Sequence, residues 1–294
     1  MEKIKLLTIL LVELLVTQLV MAQSDPVFTL GKEGGHFYFE TSVNGVPAKL
    51  MLESGMPGLM MGDAFYEAQK EALQLDVKEC DEKIRYLGGI HKIKYTAQAR
   101  LRMGEAIFEG PVKIVEGATD LKMPIQLLHH ASDNSSIVKM DLQNNELCVM
   151  SRAHLQELVK DATALDMSYN KWGYPVVNTQ LSMNVNDCPL KVNGNFVADM
   201  GNASLLFLNK SQDSVAKMLT ENKVQLKEAR DKKGNVVAEG LYAERLTICD
   251  RTYHNVSVGV NPFKSLEECG FLGLKFFTMP TVFDFDHQKM YLCK

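Results

Sequence analysis

Asp199 is the one acid in the stretch Phe196-Val197-Ala198-Asp199-Met200-Gly201-Asn202-Ala203-Ser204-Leu205-Leu206-Phe207-Leu208. A second stretch has the same order, with Glu53 as its acid: Leu50-Met51-Leu52-Glu53-Ser54-Gly55-Met56-Pro57-Gly58-Leu59-Met60-Met61. Each predicts a carboxyl group at a turn between two buried strands. Because a buried, unpaired carboxylate is costly, we expect the two acids to meet, so that one can hold a proton for the other. The alternative for either copy alone is an acid on a surface turn.

Further residues recur at an almost constant separation. Glu53 and Asp199 are 146 positions apart. Pairs that are 145 apart are Gly89 and Gly234, Arg100-Leu101 and Arg245-Leu246, Phe108 and Tyr253, Asp141 and Asp286, Leu147 and Leu292, and Cys148 and Cys293. Such a constant shift indicates an internal duplication. We therefore expect a mainly β fold of two similar β-rich lobes, at residues 27–151 and 169–294, with a connection at 152–168, a few short helices and a cleft between the lobes.

Turn dipeptides divide the chain into hairpins. Asn44-Gly45 lies between two strand-like runs and predicts a hairpin whose second arm delivers Glu53. Asn193-Gly194 is expected to make the corresponding turn before Asp199. Glycines at Gly88-Gly89 and Gly234 indicate flexible hairpin tips. Helical patterns are expected at 65–75, 151–165 and 215–226.

The N-terminus is typical of a secretion signal. Lys3 and Lys5 precede an apolar run from Leu6 to Val20, and Val20-Met21-Ala22 is small at both ends. We interpret residues 1–22 as a cleaved signal peptide, which predicts a secreted or periplasmic protein without a membrane attachment after cleavage. An uncleaved anchor helix is the alternative, although the run is short and Glu13 interrupts it.

Charge and cysteine content limit the classes of partner. The net charge is −4, from 32 basic and 36 acidic residues, without a long basic run. This composition argues against nucleic-acid binding and favours a peptide or protein ligand. The six cysteines are compatible with an oxidising compartment, and about 15 pairings are open to them. Cys148 and Cys293 are expected to be buried strand residues. The Cys and His spacings do not suggest a metal, so we expect neither metal nor cofactor, and a monomer.

In these motifs the chain resembles the aspartic peptidases, both the two-lobed pepsin type and the shorter retropepsin-like proteins of bacteria. The second half carries Asp199-Met200-Gly201, then Phe271-Leu272-Gly273 and a closing hairpin from Phe283 to Leu292. The first half carries Glu53-Ser54-Gly55 and then Ile125-Gln126-Leu127. The order of elements covers nearly all of residues 27–294.

The resemblance implies a catalytic pair formed by Glu53 and Asp199. Two carboxyl groups about 3 Å apart cannot both ionise, so one keeps a proton and together they activate a water against a peptide carbonyl. Ser54, Gly55, Met200 and Gly201 would support the acid loops. A hairpin flap would cover the ligand and exclude water, with either Gly88-Gly89 or Gly234 at its tip. Tyr86, near the first of these tips, is a further flap candidate. Tyr86 is equally consistent with an ordinary half-buried strand tyrosine.

Three residues depart from that family's pattern. Glu53 is one methylene longer than aspartate, which moves its oxygens by about 1 Å, and misplacement on that scale can cost roughly a hundredfold in rate. Met200 stands where a Ser or Thr hydroxyl normally bonds the opposite loop, and a thioether cannot donate. Leu127 stands where the first lobe would have a packing glycine, which suggests that its acid loop is supported differently.

Two functions follow from these features. The first is a secreted protein that keeps the cleft, binds peptide or protein, and has little or no hydrolytic activity. The second is a working endopeptidase in which Glu53 and Asp199 form an unusual pair. A purely structural two-lobed β protein and an incorrect alignment of the first lobe are the remaining alternatives.

Overall fold

The computed structural model describes residues 25–86, 89–118 and 121–294. The secretion signal expected at residues 1–22 and the flap glycine Gly88 lie outside these residues. In the first part of the chain the strands are β1 (Val27–Glu33), β2 (His36–Val43), β3 (Val46–Glu53), β4 (Leu59–Gly62), β5 (Lys78–Glu79), β6 (Lys83–Tyr86), β7 (Gly89–Met103), β8 (Ala106–Val115), β9 (Leu121–Pro124), β10 (Leu128–His130), β11 (Ile137–Asp141) and β12 (Glu146–Met150).

The remaining strands are β13 (Thr163–Tyr169), β14 (Pro175–Val185), β15 (Cys188–Asp199), β16 (Leu206–Asn209), β17 (Lys227–Arg230), β18 (Val236–Ile248), β19 (Arg251–Asn261), β20 (Gly270–Gly273), β21 (Thr281–Asp284) and β22 (Lys289–Leu292). Three α-helices are present in the described part of the chain: α1 (Asp63–Leu73), α2 (Leu155–Leu158) and α3 (Asp213–Glu221). Short 3₁₀ turns span Ile125–Leu127, Arg152–His154 and Leu274–Thr278. The expectation of a mainly β fold with a few short helices is confirmed.

The same strand pairings occur in the first and second halves of the chain. Antiparallel β2–β3 corresponds to β14–β15, and antiparallel β7–β8 corresponds to β18–β19. The parallel pairs β3–β9 and β4–β8 correspond to β15–β20 and β16–β19. In both halves the strand that ends in an acid, β3 or β15, therefore runs beside a short parallel strand.

One antiparallel sheet contains strands from both halves. Its order is β1, β12, β11, β21, β22 and β13, so that β11 of the first half pairs with β21 of the second. The side chains beneath it are apolar and buried, including Val138, Phe283 and Met290. Burial on this scale is the main stabilising contribution to such a sheet, since each fully buried aliphatic or aromatic side chain contributes about 1.5–3 kcal/mol.

The first predicted hairpin turn is confirmed and the second is wrong. Asn44 and Gly45 both have positive φ, at 48° and 83°, which is the backbone of a tight two-residue hairpin. Around Asn193-Gly194 the chain instead continues as β15, and the turn that precedes this strand is Asn186-Asp187, with φ of 49° and 61°. A Cβ at Gly194 would lie 2.5 Å from Cys269 Sγ, so this glycine admits a close neighbour and makes no turn.

One helix prediction needs correction. The pattern at 151–165 gives only the 3₁₀ turn at Arg152–His154 and the single turn of α2, and strand β13 begins at Thr163. The ladder of β13 with β14 and β22 overrides the local helical preference there. The helix expected at 65–75 is α1, which spans Asp63–Leu73 and buries Tyr66 and Leu73.

The structure also shows the state of the cysteines. All six cysteines are free thiols. Cys148 and Cys293 are half-buried, whereas the repeat had suggested fully buried strand residues. Within the described residues, none of the helices has the length and apolar character needed to cross a membrane.

Candidate functional site

The ends of two strands place the two acids. Glu53 is the last residue of β3 and Asp199 is the last residue of β15. Their neighbours in the parallel strands are Pro124 and Gly273, where β9 and β20 also end. Both acid loops therefore begin where a parallel ladder stops, and the structure brings the two carboxyl groups together at one backbone donor, the N–H of Gly201.

The Glu53 carboxylate is held by backbone N–H groups from both acid loops. Its Oε1 accepts hydrogen bonds from the N–H groups of Ser54 at 3.0 Å, Gly55 at 2.9 Å and Gly201 at 3.2 Å. The side chain is only 7% exposed. Hydrogen bonds from backbone N–H groups supply partners that a buried carboxyl group needs, and here they come from both acid loops.

The surroundings of Asp199 favour the protonated form of its carboxyl group. Its Oδ1 accepts the N–H of Gly201 at 3.1 Å, the same group that Glu53 uses. Burial, followed by the charge of Glu53 and the hydrogen bond with it, raises the pKa of Asp199 well above its ordinary value, and Lys122 opposes this only in part. Two carboxyl groups in close proximity resist ionising together, and the raised pKa of Asp199 favours a proton on that acid.

The serine of the first loop makes a cross-brace between the loops. Ser54 Oγ donates to the carbonyl oxygen of Ala198 at 2.7 Å and accepts the N–H of Met200 at 3.0 Å. Ser54 and Met200 are both buried. Because the Met200 thioether cannot donate, Ser54 is the residue whose hydroxyl serves this contact, as the sequence indicated.

Position 201 must be a glycine because the Glu53 side chain occupies the space that a Cβ would need. A Cβ at Gly201 would lie 2.1 Å from Glu53 Oε2 and 2.7 Å from its Cδ. In the first acid loop, a Cβ at Gly55 would lie 3.1 Å from Asp199 Oδ1. The extra methylene of Glu53 thus carries its carboxylate into the opposite loop, where only a glycine leaves room for it.

Two supporting residues were missed by the sequence reasoning. Lys122, which is 6% exposed in β9, lies 3.3 Å from Glu53 Oε2 through its Nζ atom. Gln126 Nε2 donates to the carbonyl oxygens of Ser54 at 3.0 Å and Met56 at 2.8 Å. The signal for Lys122 was a lone lysine inside the apolar run Leu121–Ile125, where a buried charge calls for a partner. Gln126 supplies the different support that Leu127 had suggested for the first loop.

Aromatic residues lie close to the pair on the side of the second half. Burial, and then the charges of Glu53 and Asp199, raise the pKa of Tyr174. Tyr174 packs with Trp172, whose ring centroid is 6.0 Å away. A Cβ at Gly173 would lie 3.8 Å from Pro57 Cβ, so this segment contacts the first acid loop.

The second acid loop packs closely against the backbone at Gly273. A Cβ at Gly273 would lie 2.4 Å from the Ser204 carbonyl oxygen and 2.7 Å from that of Asn202. The N–H of Leu274 donates to the Asn202 carbonyl oxygen at 2.7 Å. This close backbone approach excludes any larger residue at 273.

The candidate flap residues lie at two hairpin ends. Tyr86 and Gly89 are register partners at the ends of β6 and β7. Gly234 has a φ of 84° in the connection between β17 and β18, and the space where its Cβ would stand is open. Their proposed role in covering a ligand stays a prediction.

Other acids and possible metal ligands serve the fold. Asp141 accepts the Asn144 N–H and side-chain amide at a hairpin turn, and Asp286 accepts the Ser136 N–H. Across the described residues, His, Cys, Asp and Glu do not gather in any group of three or more that could hold a metal ion.

Comparison with known proteins gives limited information. No family model matches the chain, and no curated protein matches it. One similar solved structure is the crystal structure of basic 7S globulin from soybean, with a TM-score of 0.49 and 11% sequence identity. The alignment covers 91% of this chain and 94% of the globulin chain. A likeness at this level carries no argument about function.

These findings correct the sequence-based assignment to the aspartic peptidases. No family model supports the assignment, and the similar solved structure is described as a basic 7S globulin. The motif of an acid, one residue and a glycine is too short to establish membership, since tight turns after buried strands select the same residue types. What the site does must be argued from its own geometry.

Proposed function

We propose that this chain is a secreted protein that binds peptide or protein segments in a cleft between two similar β-rich lobes, and that its Glu53–Asp199 pair has little or no hydrolytic activity. The observation that carries the proposal is the position of Glu53. Its Oε1 accepts three backbone N–H groups, one of them from the opposite loop. Glu53 therefore braces one loop against the other and has little capacity left to accept a proton from water.

Recurrent strand pairings support two lobes. The ladders of β2–β3, β4–β8 and β7–β8 each have a counterpart in the second half. Glu53 and Asp199 end corresponding strands, one from each half. An acid pair assembled in this way stands at the junction of the lobes, which is where clefts between domains commonly bind ligands.

Exposed apolar side chains support a peptide or protein ligand. Of the six large hydrophobic residues that are exposed in the described part of the chain, four lie on the two hairpins proposed as flaps. They are Ile90 at 63%, Val236 at 43%, Val237 at 63% and Tyr242 at 41% exposed. Apolar side chains gathered on projecting hairpins are characteristic of interaction surfaces.

A binding experiment with a degenerate decapeptide library tests this function. The mature chain, residues 23–294, should bind a subset of the library, and the double variant Val236→Ser, Val237→Ser should weaken that binding at least about tenfold, which corresponds to about 1.4 kcal/mol. Val27→Ser is the matched control, because Val27 is 57% exposed on β1, away from these hairpins. Equal binding by all three proteins would remove the hairpins from the proposal.

Hydrolysis of peptide bonds is the second candidate, and the protonation of the pair favours it. The raised pKa of Asp199 would make a proton available for a carbonyl oxygen, and the neighbouring Glu53 would be the carboxyl group that faces a water. Cleavage of the same library between pH 3 and 7, lost in both Asp199→Asn and Glu53→Gln, would establish this activity. If the scaffold is otherwise competent, Glu53→Asp with Met200→Thr should gain activity.

A further inference from the structure

A buried lysine stands beside the acid pair and belongs to neither acid loop. Lys122 lies in β9, where all four residues are buried. Its Nζ atom is 3.3 Å from Glu53 Oε2, and both side chains are less than a tenth exposed. A buried ammonium group is costly to maintain, so its place in an apolar strand requires the carboxylate as a partner.

The charged and titratable groups around the pair form a short list. Glu53 ends β3, Lys122 lies in the parallel neighbour β9, and Asp199 ends β15. Tyr174 is a further titratable group close enough to be influenced by the charges of both acids. Burial, and then these charges, raise the pKa of Tyr174, so it stays a neutral phenol.

Building on the proposed function of the cleft, we propose that Lys122 is a positioning residue that fixes the proton of the acid pair on Asp199. The ammonium group lies at Glu53 Oε2, so it stabilises a negative charge on Glu53 directly. Asp199 Oδ1 accepts the backbone N–H of Gly201 at 3.1 Å, whereas the Lys122 ammonium group lies 3.3 Å from Glu53 Oε2. At a separation of about 3–4 Å in a poorly solvated site, such a difference between two carboxyl groups is large.

Fixing the proton has a chemical consequence. In hydrolysis by a carboxyl pair, the ionised carboxylate takes a proton from water as its oxygen attacks the peptide carbon, and the other carboxyl gives its proton to the carbonyl oxygen. Lys122 opposes the first transfer, because protonation of Glu53 would leave a buried ammonium group without its counter-charge. The lysine thus keeps the pair as a static brace.

The pair can be observed directly by carbon NMR of the side-chain carboxyl groups in the full mature chain. Asp199→Asn and Glu53→Gln assign the two signals. In the wild-type protein at pH 5, the Asp199 carbon should resonate as a carboxylic acid and the Glu53 carbon as a carboxylate. In Lys122→Met, the Glu53 signal should move more than half of the way towards that of a protonated glutamic acid, and Lys122→Arg should restore the wild-type position.

Lys113→Met is a closely matched control. Lys113 in β8 and Lys122 in β9 are both register partners of Met60, on either side of β4. Lys113 is half-buried, and its removal should leave both carboxyl signals in place. Lys122→Gln provides a second neutral variant if the methionine variant does not fold.

The outcomes are decisive in both directions. Unchanged Glu53 and Asp199 signals in a folded Lys122→Met or Lys122→Gln protein would overturn the proposal, and so would a protonated Glu53 in the wild type. Because the NMR measurement of the carboxyl groups needs no ligand, it is independent of the peptide-binding experiment. A failed library screen with the expected carboxyl signals would refute the proposed ligand while leaving the role of Lys122 intact.

Discussion

At the scale of single residues, the pair is shaped by the length of one side chain. Glu53 crosses into the opposite loop, and its carboxylate takes the space that a Cβ at position 201 would need, 2.1 Å from Oε2. An aspartate at 53 would stop about 1 Å short of this position. The glycine at 201 and the glutamate at 53 are therefore complementary.

Gly201→Ala should destabilise the protein by roughly 1–3 kcal/mol, because the added methyl group forces the Glu53 carboxylate from its three backbone donors. Urea unfolding monitored by circular dichroism measures the change. Gly31→Ala is the control, since a Cβ there meets nothing nearer than 3.9 Å and should have a small effect. Equal losses in the two variants would contradict the proposed fit of Glu53 against Gly201.

Ser54→Ala removes the cross-brace. The Ala198 carbonyl oxygen and the Met200 N–H lose their side-chain partner, and unsatisfied buried groups of this kind cost about 1–3 kcal/mol each. Ser54→Thr should recover most of the loss because it keeps the hydroxyl. Thermal unfolding compares both variants with Ser182→Ala, which removes a half-buried serine from β14. A loss for Ser182→Ala as large as that for Ser54→Ala would argue against a specific brace.

At the scale of elements, sequence patterns located strands better than they located turns and helix faces. The Asn44-Gly45 hairpin was predictable because both residue types tolerate positive φ. Asn193-Gly194 has the same turn-forming residue types but lies within β15. The glycine is needed there because Cys269 packs where a Cβ at position 194 would lie. One sequence cannot distinguish a glycine needed for backbone conformation from a glycine needed for space.

The residues of the candidate site were also only partly predictable from the sequence. The two acids and Ser54 were predictable, since an acid after an apolar strand is visible locally. Lys122 and Gln126 were not, because they are about 70 residues from Glu53 and Ser54 and meet them only through the parallel pairing of β3 with β9. Long-range parallel pairing leaves no local periodicity from which such a partner could be deduced.

The turn before β15 gives a test at this scale. Asp187→Gly should stabilise the protein by up to about 1 kcal/mol, because Asp187 has a φ of 61° that glycine adopts without a steric penalty. Gly194→Ala should destabilise it, since the new Cβ would lie 2.5 Å from Cys269 Sγ. Urea unfolding measures the free energy of unfolding of both variants. If the turn were at 193–194, Asp187→Gly would not raise that free energy.

At the scale of the whole molecule, two buried acids respond to pH in opposite directions. Burial, the charge of Glu53 and the hydrogen bond with it raise the pKa of Asp199 in the folded state. Burial also tends to raise the pKa of Asp284, but hydrogen bonds from Arg152 and His287 outweigh it and hold that pKa below its ordinary value. Arg152 follows β12 and Asp284 ends β21, so this ion pair lies across the sheet that joins the halves.

The sign of each contribution to stability follows from linkage. A folded-state pKa above the unfolded value gives Asp199 a contribution that is complete below about pH 3.9 and is lost as pH rises through the folded value. Asp284, with a lowered pKa, contributes above that same pH and loses its contribution as pH falls. Asp199→Asn should therefore unfold at a higher temperature than the wild type at neutral pH, with the advantage shrinking towards pH 4. Asp284→Asn should be less stable at neutral pH, with the deficit shrinking in acid. Differential scanning calorimetry from pH 3 to 8 measures both differences, and parallel curves for the two variants would contradict an acid pair that shares one proton.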